Sequence, residues 1–174
     1  MPVWNSVRRA LTPMFVVRLY YLIRHGTIIS RQSEIDFATT TDWGPGCVIS
    51  AFTKMKIFGP FTMGRRVHIG SNTFIGAGPG GLVLGDDVLI SPNCTILTTS
   101  YNYDQVGVSL SDQQPGSRGV RIGHRVWIGA SSVVLDGSEI GNDVIVSAGS
   151  IVSGRIPERS IVVGNPARVI FTRR

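Results

Sequence analysis

The residues best placed to move a proton are gathered in one polar stretch, Ser100 to Gly119, where Tyr101, Tyr103 and Asp104 fall within four positions. A carboxylate can take the proton of an attacking hydroxyl, and a phenol can hold that hydroxyl in line. The only histidines are His25, His68 and His124. They have no spacing that would test a Ser-His-Asp arrangement, and they lie too far apart in sequence to converge on a metal, so none is expected. Cys47 and Cys94 show no metal-type spacing either, and Cys94 sits where a small buried hydrophobe is wanted.

The scaffold that must carry these groups is legible in a beat. Aliphatic residues return at Ile122, Ile128, Val134, Ile140, Val146 and Val152, every sixth position, usually followed by Gly or another small residue. Four places on, small or β-branched residues often recur: Val126, Ser132, Ser138, Val144 and Ser150. Six is not a helical period. It describes a short strand, a corner and another short strand, each aliphatic pointing into a shared interior. The beat recurs upstream in other phases, as Ile57, Met63, Ile69 and Ile75, and then as Leu84, Ile90 and Ile96. The glycine-rich segment Gly76–Gly81 shifts the first phase by three, and Ser100–Gly119 separates the second from the third. Such interruptions leave a solenoid as loops, where function tends to sit. Gly76–Gly81 is not a phosphate loop: it lacks the Gly-Lys-Ser/Thr ending and opens no helical pattern.

We therefore expect an all-β solenoid with a short helical segment before it. Residues 1–30 form a helical cap or interfacial segment, 31–170 the solenoid with a loop protruding at 100–119, and 171–174 a basic tail. Within 26–56 the periodicity is ragged and reads as one or two irregular starting coils. Pro13 either divides the first segment into two short helices or stands near the start of one. Residues 3–24 contain one apolar run, Phe15–Ile23, that is too short and too charged to span a bilayer. They suit a helix closing one end of the solenoid, an interfacial helix whose Arg8, Arg9, Arg18 and Arg24 meet anionic lipid, or both. The 21 glycines, 43% hydrophobic and 16% charged residues fit a turn-rich buried β architecture. A net charge of +6 favours anionic partners, but no nucleic-acid motif or Lys-rich run accompanies it, so nucleic acid is not expected. Arginines interrupt the N-terminal apolar segment and no cleavage site follows, so we expect a cytoplasmic chain, at the inner membrane face if residues 3–24 meet lipid.

Val126–Gly129, Ser147–Ser150 and the closing Gly164–Ile170 run (Gly-Asn-Pro-Ala-Arg-Val-Ile), together with the hexapeptide beat, make the chain similar to the hexapeptide-repeat acyltransferases. The resemblance covers roughly residues 50–170 and is nearest to sugar O-acetyltransferases of the maltose/galactoside type and their relatives in polysaccharide biosynthesis. It implies a left-handed parallel β-helix with about eighteen residues per coil, and a homotrimer holding acetyl-CoA between subunits. It also implies transfer of the acetyl group to a sugar hydroxyl, on a nucleotide- or lipid-linked carbohydrate of surface-polysaccharide or lipopolysaccharide synthesis. Matched to the family, Ala130 and Ala148, eighteen apart, would pass the CoA arm, with Trp127 beside the pantetheine and Ser153 further along the groove. Arg168 would lie near the nucleotide phosphates. The family's Lys after the Ser153 position is replaced by Gly154 and then Arg155.

The family's catalytic His falls on Tyr101 here, and its Asn on an earlier coil falls near Ala77–Pro79. A free phenol, with a pKa near ~10, is a weak base at neutral pH. Three readings follow. Asp104 or a histidine serves as base, His124 being able to reach a subunit boundary from its corner; Tyr101 orients the acceptor while positioning does most of the work; or the chain is a silent homologue that binds CoA or sugar without turnover.

Overall fold

The computed structural model describes residues 13–36 and 41–174, so Arg8, Arg9 and the remainder of 1–12 lie outside the described residues. Each turn of chain lays one short strand on each of three faces, and the faces are three separate parallel sheets. Face A stacks Ile28–Ile29, Val48–Ile49, His68–Ile69, Leu89–Ile90, Trp127–Ile128, Ile145–Val146 and Ser160–Val163, and Arg168–Thr172 folds back antiparallel on the last. Face B runs from Glu34–Ile35 to Ile151–Val152, and face C from Thr41–Trp43 to Arg155–Ile156.

The inward rungs of face A are Ile29, Ile49, Ile69, Ile90, Ile128, Val146 and Val162, in parallel register and all buried. Burying one such side chain stabilises the fold by roughly 1.5–3 kcal/mol, so the stack holds itself together coil by coil. Successive coils on this face are 20, 20, 21, 38, 18 and 16 residues long. On this face the eighteen-residue coil thus holds only between Ile128 and Val146, as it does on the other faces between Ile122 and Ile140 and between Val134 and Val152. The 38-residue coil is an ordinary one carrying the loop at 100–119.

The sequence phasing needs one correction. Met55, not Ile57, is the rung that faces Ile75; Ile57 pairs with Ala77. The strand Lys54–Ile57 is four residues long and turns both Met55 and Ile57 inward, and Phe61 and Met63 do the same on face C. Longer faces, each burying two side chains, explain the extra residues of the early coils. The segment read as ragged contains regular rungs at Ile28–Ile29 and Val48–Ile49.

The residues four places after each aliphatic are the corner fillers. Val126, Ser132, Ser138, Val144 and Ser150 are buried, and the Ser132 and Ser138 hydroxyls donate to the Ser147 and Val152 carbonyls at 3.1 and 3.2 Å. Cys47 and Cys94 occupy equivalent corners, where burial raises both thiols above their ordinary pKa; neutral thiols of this kind are inert. The corner between faces C and A is laced outside by fork-shaped pairs, Arg66 on Asp87 (2.6 and 2.6 Å) and Arg125 on Asp143 (2.7 and 2.8 Å). Each guanidinium lowers its carboxyl partner's pKa, but pairs this exposed stabilise little.

Helix α1 (Met14–His25) begins directly after Pro13 and ends at Gly26, whose left-handed backbone (φ 61°) lets its N–H reach the Leu22 carbonyl at 2.9 Å. Val17 and Tyr21 are buried against the first coil. The Tyr21 ring stacks on Trp43 with centroids 4.0 Å apart, Trp43 meets Phe61 edge-on at 5.9 Å, and the Tyr21 hydroxyl shares a hydrogen bond with Thr41 at 3.1 Å. The helix thereby covers a coil end that would otherwise open the core to water. Its other side leaves Phe15, Leu19, Leu22 and Ile23 exposed. Among the described residues no helix is long and apolar enough to cross a membrane.

Candidate functional site

The long loop leaves the prism at the edge between faces B and C. It starts as a two-residue antiparallel arm, Ser100–Tyr101 against Pro115–Gly116. Tyr101 is 64% and Tyr103 83% exposed, and Asp104 is also exposed. Farther out, Gln113 is buried and draws the loop shut: its amide donates to the Gln105 and Val108 carbonyls at 3.2 Å each, and its oxygen accepts the Gln105 N–H at 3.3 Å. The three proton-handling groups thus stand together on a shaped projection.

The root of that projection explains the glycine-rich segment. Gly78 N–H donates to the Thr98 hydroxyl and Gly80 N–H to the Ser117 hydroxyl, each at 2.7 Å, while Ser117 donates to the Thr98 carbonyl at 2.7 Å. A Cβ on Gly78 would collide with Thr99, and one on Gly119 (φ 85°) with the Gly80 carbonyl. Gly80 and Gly119 are required because their two backbones pass there at contact distance.

The side chains matched to cofactor contacts lie elsewhere. Ala130 and Ala148 share the edge between faces A and B on adjacent coils, joined by the Gly149 N–H donating to the Ala130 carbonyl at 2.8 Å. Neither points into the core: Ala130 is half-buried and Ala148 exposed. Trp127 lies on the outside of face A, 47% exposed, between Leu89 and Ile145, with its indole N–H donating to Ser91 at 2.9 Å. Arg168 is exposed at the last rung of the same face, opposite Val163. Ser153 is exposed but lies on the B/C edge, on the loop's side of the prism.

Two groups therefore stand on opposite edges of face B. Trp127, Ala130 and Ala148 are at or near the A/B edge; Tyr101, Asp104 and Ser153 are at the B/C edge. The five residues from Ala148 to Ser153 span roughly 15 Å at ~3.3 Å per residue. One chain does not bring them together. His124 is on the third edge, where its Nδ1 accepts the Asp86 N–H at 2.9 Å and its own N–H donates to Asn142 at 2.8 Å. That is the corner-residue role; within one chain His124 does not approach the loop. His68 points outward on face A and His25 packs near Tyr21. No three His, Cys, Asp or Glu side chains among the described residues are grouped to hold a metal.

Sequence reasoning missed Asp136. Its side chain is 2% exposed, and one carboxylate oxygen accepts the N–H groups of Arg118 at 2.8 Å and Gly119 at 2.9 Å. The other faces the Ser100 hydroxyl and Arg118 Nε, each at 3.5 Å. Asp-Gly reads in sequence as an ordinary turn, and only the coil register shows that this Asp lies under the loop. A groove of about 430 Å³ runs beside it on face C, lined by Gly80, Gly81, Arg118, Gly119, Gly137 and Ser138 among others. It shares no residue with the Trp127, Ala130 and Ala148 group.

Comparison with known proteins fits this geometry. The model for "Bacterial transferase hexapeptide (six repeats)" matches residues 119–154, and that for "Hexapeptide repeat of succinyl-transferase" matches 66–98. WbbJ of Escherichia coli (strain K12), named provisionally as a lipopolysaccharide biosynthesis O-acetyl transferase, is 30% identical over 93% of this chain and 86% of its own. Rv3034c of Mycobacterium tuberculosis, named provisionally as an acetyltransferase, is 30% identical over 98% of this chain, which spans 62% of that longer protein. Among solved structures, the N-acyltransferase AntD of Bacillus cereus, in complex with dTDP and 3-hydroxybutyryl-CoA, superposes with a TM-score of 0.76 at 24% identity, over 86% of this chain and 81% of AntD. The chain belongs to the hexapeptide-repeat acyltransferase family, of the sugar O-acetyltransferase type. Its prism is that family's left-handed parallel β-helix.

Proposed function

We propose that this protein is a CoA-dependent O-acetyltransferase, acting as a homotrimer on a sugar hydroxyl in surface-polysaccharide or lipopolysaccharide synthesis. The observation that carries the reading is the outward projection of Ala130 and Ala148, one coil apart, across face B from a loop bearing Tyr101 and Asp104. Two half-sites on opposite edges make one site when the loop of one copy meets the A/B edge of the next. CoA would lie along the smooth A/B edge, with Trp127 beside the pantetheine and Arg168 near the phosphates, and Ser153 would reach the same groove from the B/C edge of the neighbouring copy. The acceptor oxygen would attack the thioester carbon, the C–S bond would break, and CoA would leave as the thiol. The hydroxyl proton would pass to Asp104 and from there to the departing CoA sulfur, while Tyr101 holds the acceptor in line; a single transfer of this kind needs no acyl-enzyme and gains most from orientation. The lipopolysaccharide name of WbbJ, with which nearly the whole chain aligns, supports the acceptor class.

Calorimetric titration with acetyl-CoA, followed by transfer assays across a panel of free, nucleotide-linked and lipid-linked sugars, tests the reading. Saturable binding and turnover on at least one acceptor are expected. Absence of binding at millimolar acetyl-CoA would defeat the proposal. Binding with no turnover on any acceptor would favour the silent homologue, which the Tyr at position 101 keeps in view.

The same proposal puts the protein at the cytoplasmic face of a membrane. Its support is α1, whose exposed Phe15, Leu19, Leu22 and Ile23 stand beside Arg18 and Arg24 with no acidic residue on the helix, the pattern of an interfacial helix on anionic lipid. Vesicles containing phosphatidylglycerol should sediment the protein at low salt, and Leu19→Glu with Ile23→Glu should weaken this about tenfold. Equal behaviour with neutral vesicles, or none with either, would end the membrane reading.

A further inference from the structure

We propose that Asp136 is a positioning residue that fixes the loop bearing Tyr101 and Asp104, a role that rests on the acyl-transfer reading above. The loop has two ends, and both converge on this one carboxylate from the neighbouring coil. The returning end is held by Arg118 N–H and Gly119 N–H donating to one oxygen at 2.8 and 2.9 Å. The outgoing end brings the Ser100 hydroxyl, one residue before Tyr101, to 3.5 Å from the other oxygen, a looser contact than the two amide bonds. Arg118 closes the arrangement, its Nε 3.5 Å from that oxygen and its Nη2 donating to the Asp136 carbonyl at 3.0 Å. Gly137 N–H donates in turn to the Gly119 carbonyl at 2.8 Å.

A carboxylate this deeply buried is stable only with its oxygens occupied, and the donors here are main-chain groups at the feet of a twenty-residue excursion. Charge-assisted bonds to backbone N–H groups are stronger than neutral ones. A hinge at those feet would swing every group farther out, and a displacement of about 1 Å is enough to lower a positioned reaction a hundredfold. Asp136 touches no reacting atom; it acts through Ser100–Tyr101 on one strand of the arm and through Arg118–Gly119 below the other.

The test compares the full-length wild type with Asp136→Ala and Asp136→Asn. Hydrogen exchange is read over residues 100–119 and transfer kinetics are measured beside acetyl-CoA affinity. Asp136→Ala should speed exchange of loop amides, Arg118 and Gly119 foremost, at least tenfold while leaving Ile128 and Val146 unchanged. It should lower kcat at least tenfold with the acetyl-CoA Kd within twofold. Asp136→Asn keeps an oxygen for the two amides but loses the charge facing Arg118, so it should fall between wild type and Ala in both readouts. If the Ala variant does not fold, the Asn variant decides by the same criteria. Unchanged loop exchange, faster exchange with unaltered kcat, or parallel loss of kcat and acetyl-CoA affinity would each overturn the proposal. A wild type that turns over no acceptor defeats the transfer reading, and the exchange comparison still decides whether Asp136 holds the loop.

Discussion

Ala148→Trp is expected to raise the Kd for acetyl-CoA at least about a hundredfold, equivalent to roughly 2.7 kcal/mol, while barely changing the folding free energy. The asymmetry follows from where the residue stands. Ala148 is an exposed edge residue, and a Cβ built on the following Gly149 meets nothing within 4 Å. A larger side chain there enters solvent rather than core, and surface changes of that kind stay within about 0.5 kcal/mol. In the assembled protein the same side chain would fill the passage for the pantetheine arm. Calorimetry with acetyl-CoA and denaturant unfolding, run side by side, read the two quantities. An unchanged Kd would remove the A/B edge from the account. A large loss of stability would mean that Ala148 has a packing role this structure does not give it.

Tyr101→Phe should lower kcat about ten- to a hundredfold and leave acetyl-CoA affinity within twofold. Tyr101 is well exposed on the arm and its backbone pairs with Pro115, so removing the hydroxyl disturbs no packing. What is lost is a group that orients the acceptor, and orientation and proton handling contribute on this scale or more. Asp104→Asn separates the two jobs. If Asp104 takes the proton, it should reduce kcat more than Tyr101→Phe does. Turnover unchanged in Tyr101→Phe would dismiss Tyr101 from the site and leave Asp104 alone on the loop.

The fold was legible where coils follow one another without insertion. From Ile122 to Val152 every aliphatic in the six-residue beat is an inward rung or, as at Ile122 and Ile140, its counterpart on face C. It was less legible in the early coils, where Lys54–Ile57 buries two side chains and an alternating strand offers Met55 and Ile57 as rival rungs. Only the neighbouring strand decides between them. The cap was half legible: both readings of Pro13 put a helix after it, as a proline's fixed φ and missing N–H allow at a helix start, but the stack of Tyr21 on Trp43 joins residues 22 apart that no local pattern connects.

The candidate site divides in the same way. Tyr101, Asp104, Ala130 and Ala148 could be named because residue type and spacing are carried by the chain itself. Asp136 could not, since its partners lie 17 to 36 positions away and meet it only through coil stacking. His124 illustrates the converse. It lies close to the loop in sequence, yet within one chain the coil carries it round to the C/A edge, where its ring accepts the Asp86 N–H, so only a subunit boundary could bring it to a site.

The central claim is that the loop of one copy serves the A/B edge of another, and subunit mixing tests it most directly. With acetyl-CoA held well below the raised Kd of the edge variant, a loop variant carrying Tyr101→Ala and Asp104→Ala and an edge variant carrying Ala148→Trp should each show almost no transfer alone. In a closed ring assembled at random from equal amounts of both, about a quarter of the sites combine an intact edge with an intact neighbouring loop. Co-refolded or co-expressed mixtures should therefore recover about a quarter of the wild-type transfer rate. Mixed assemblies that form but recover no activity would show that loop and edge must belong to the same chain, in contradiction to the account.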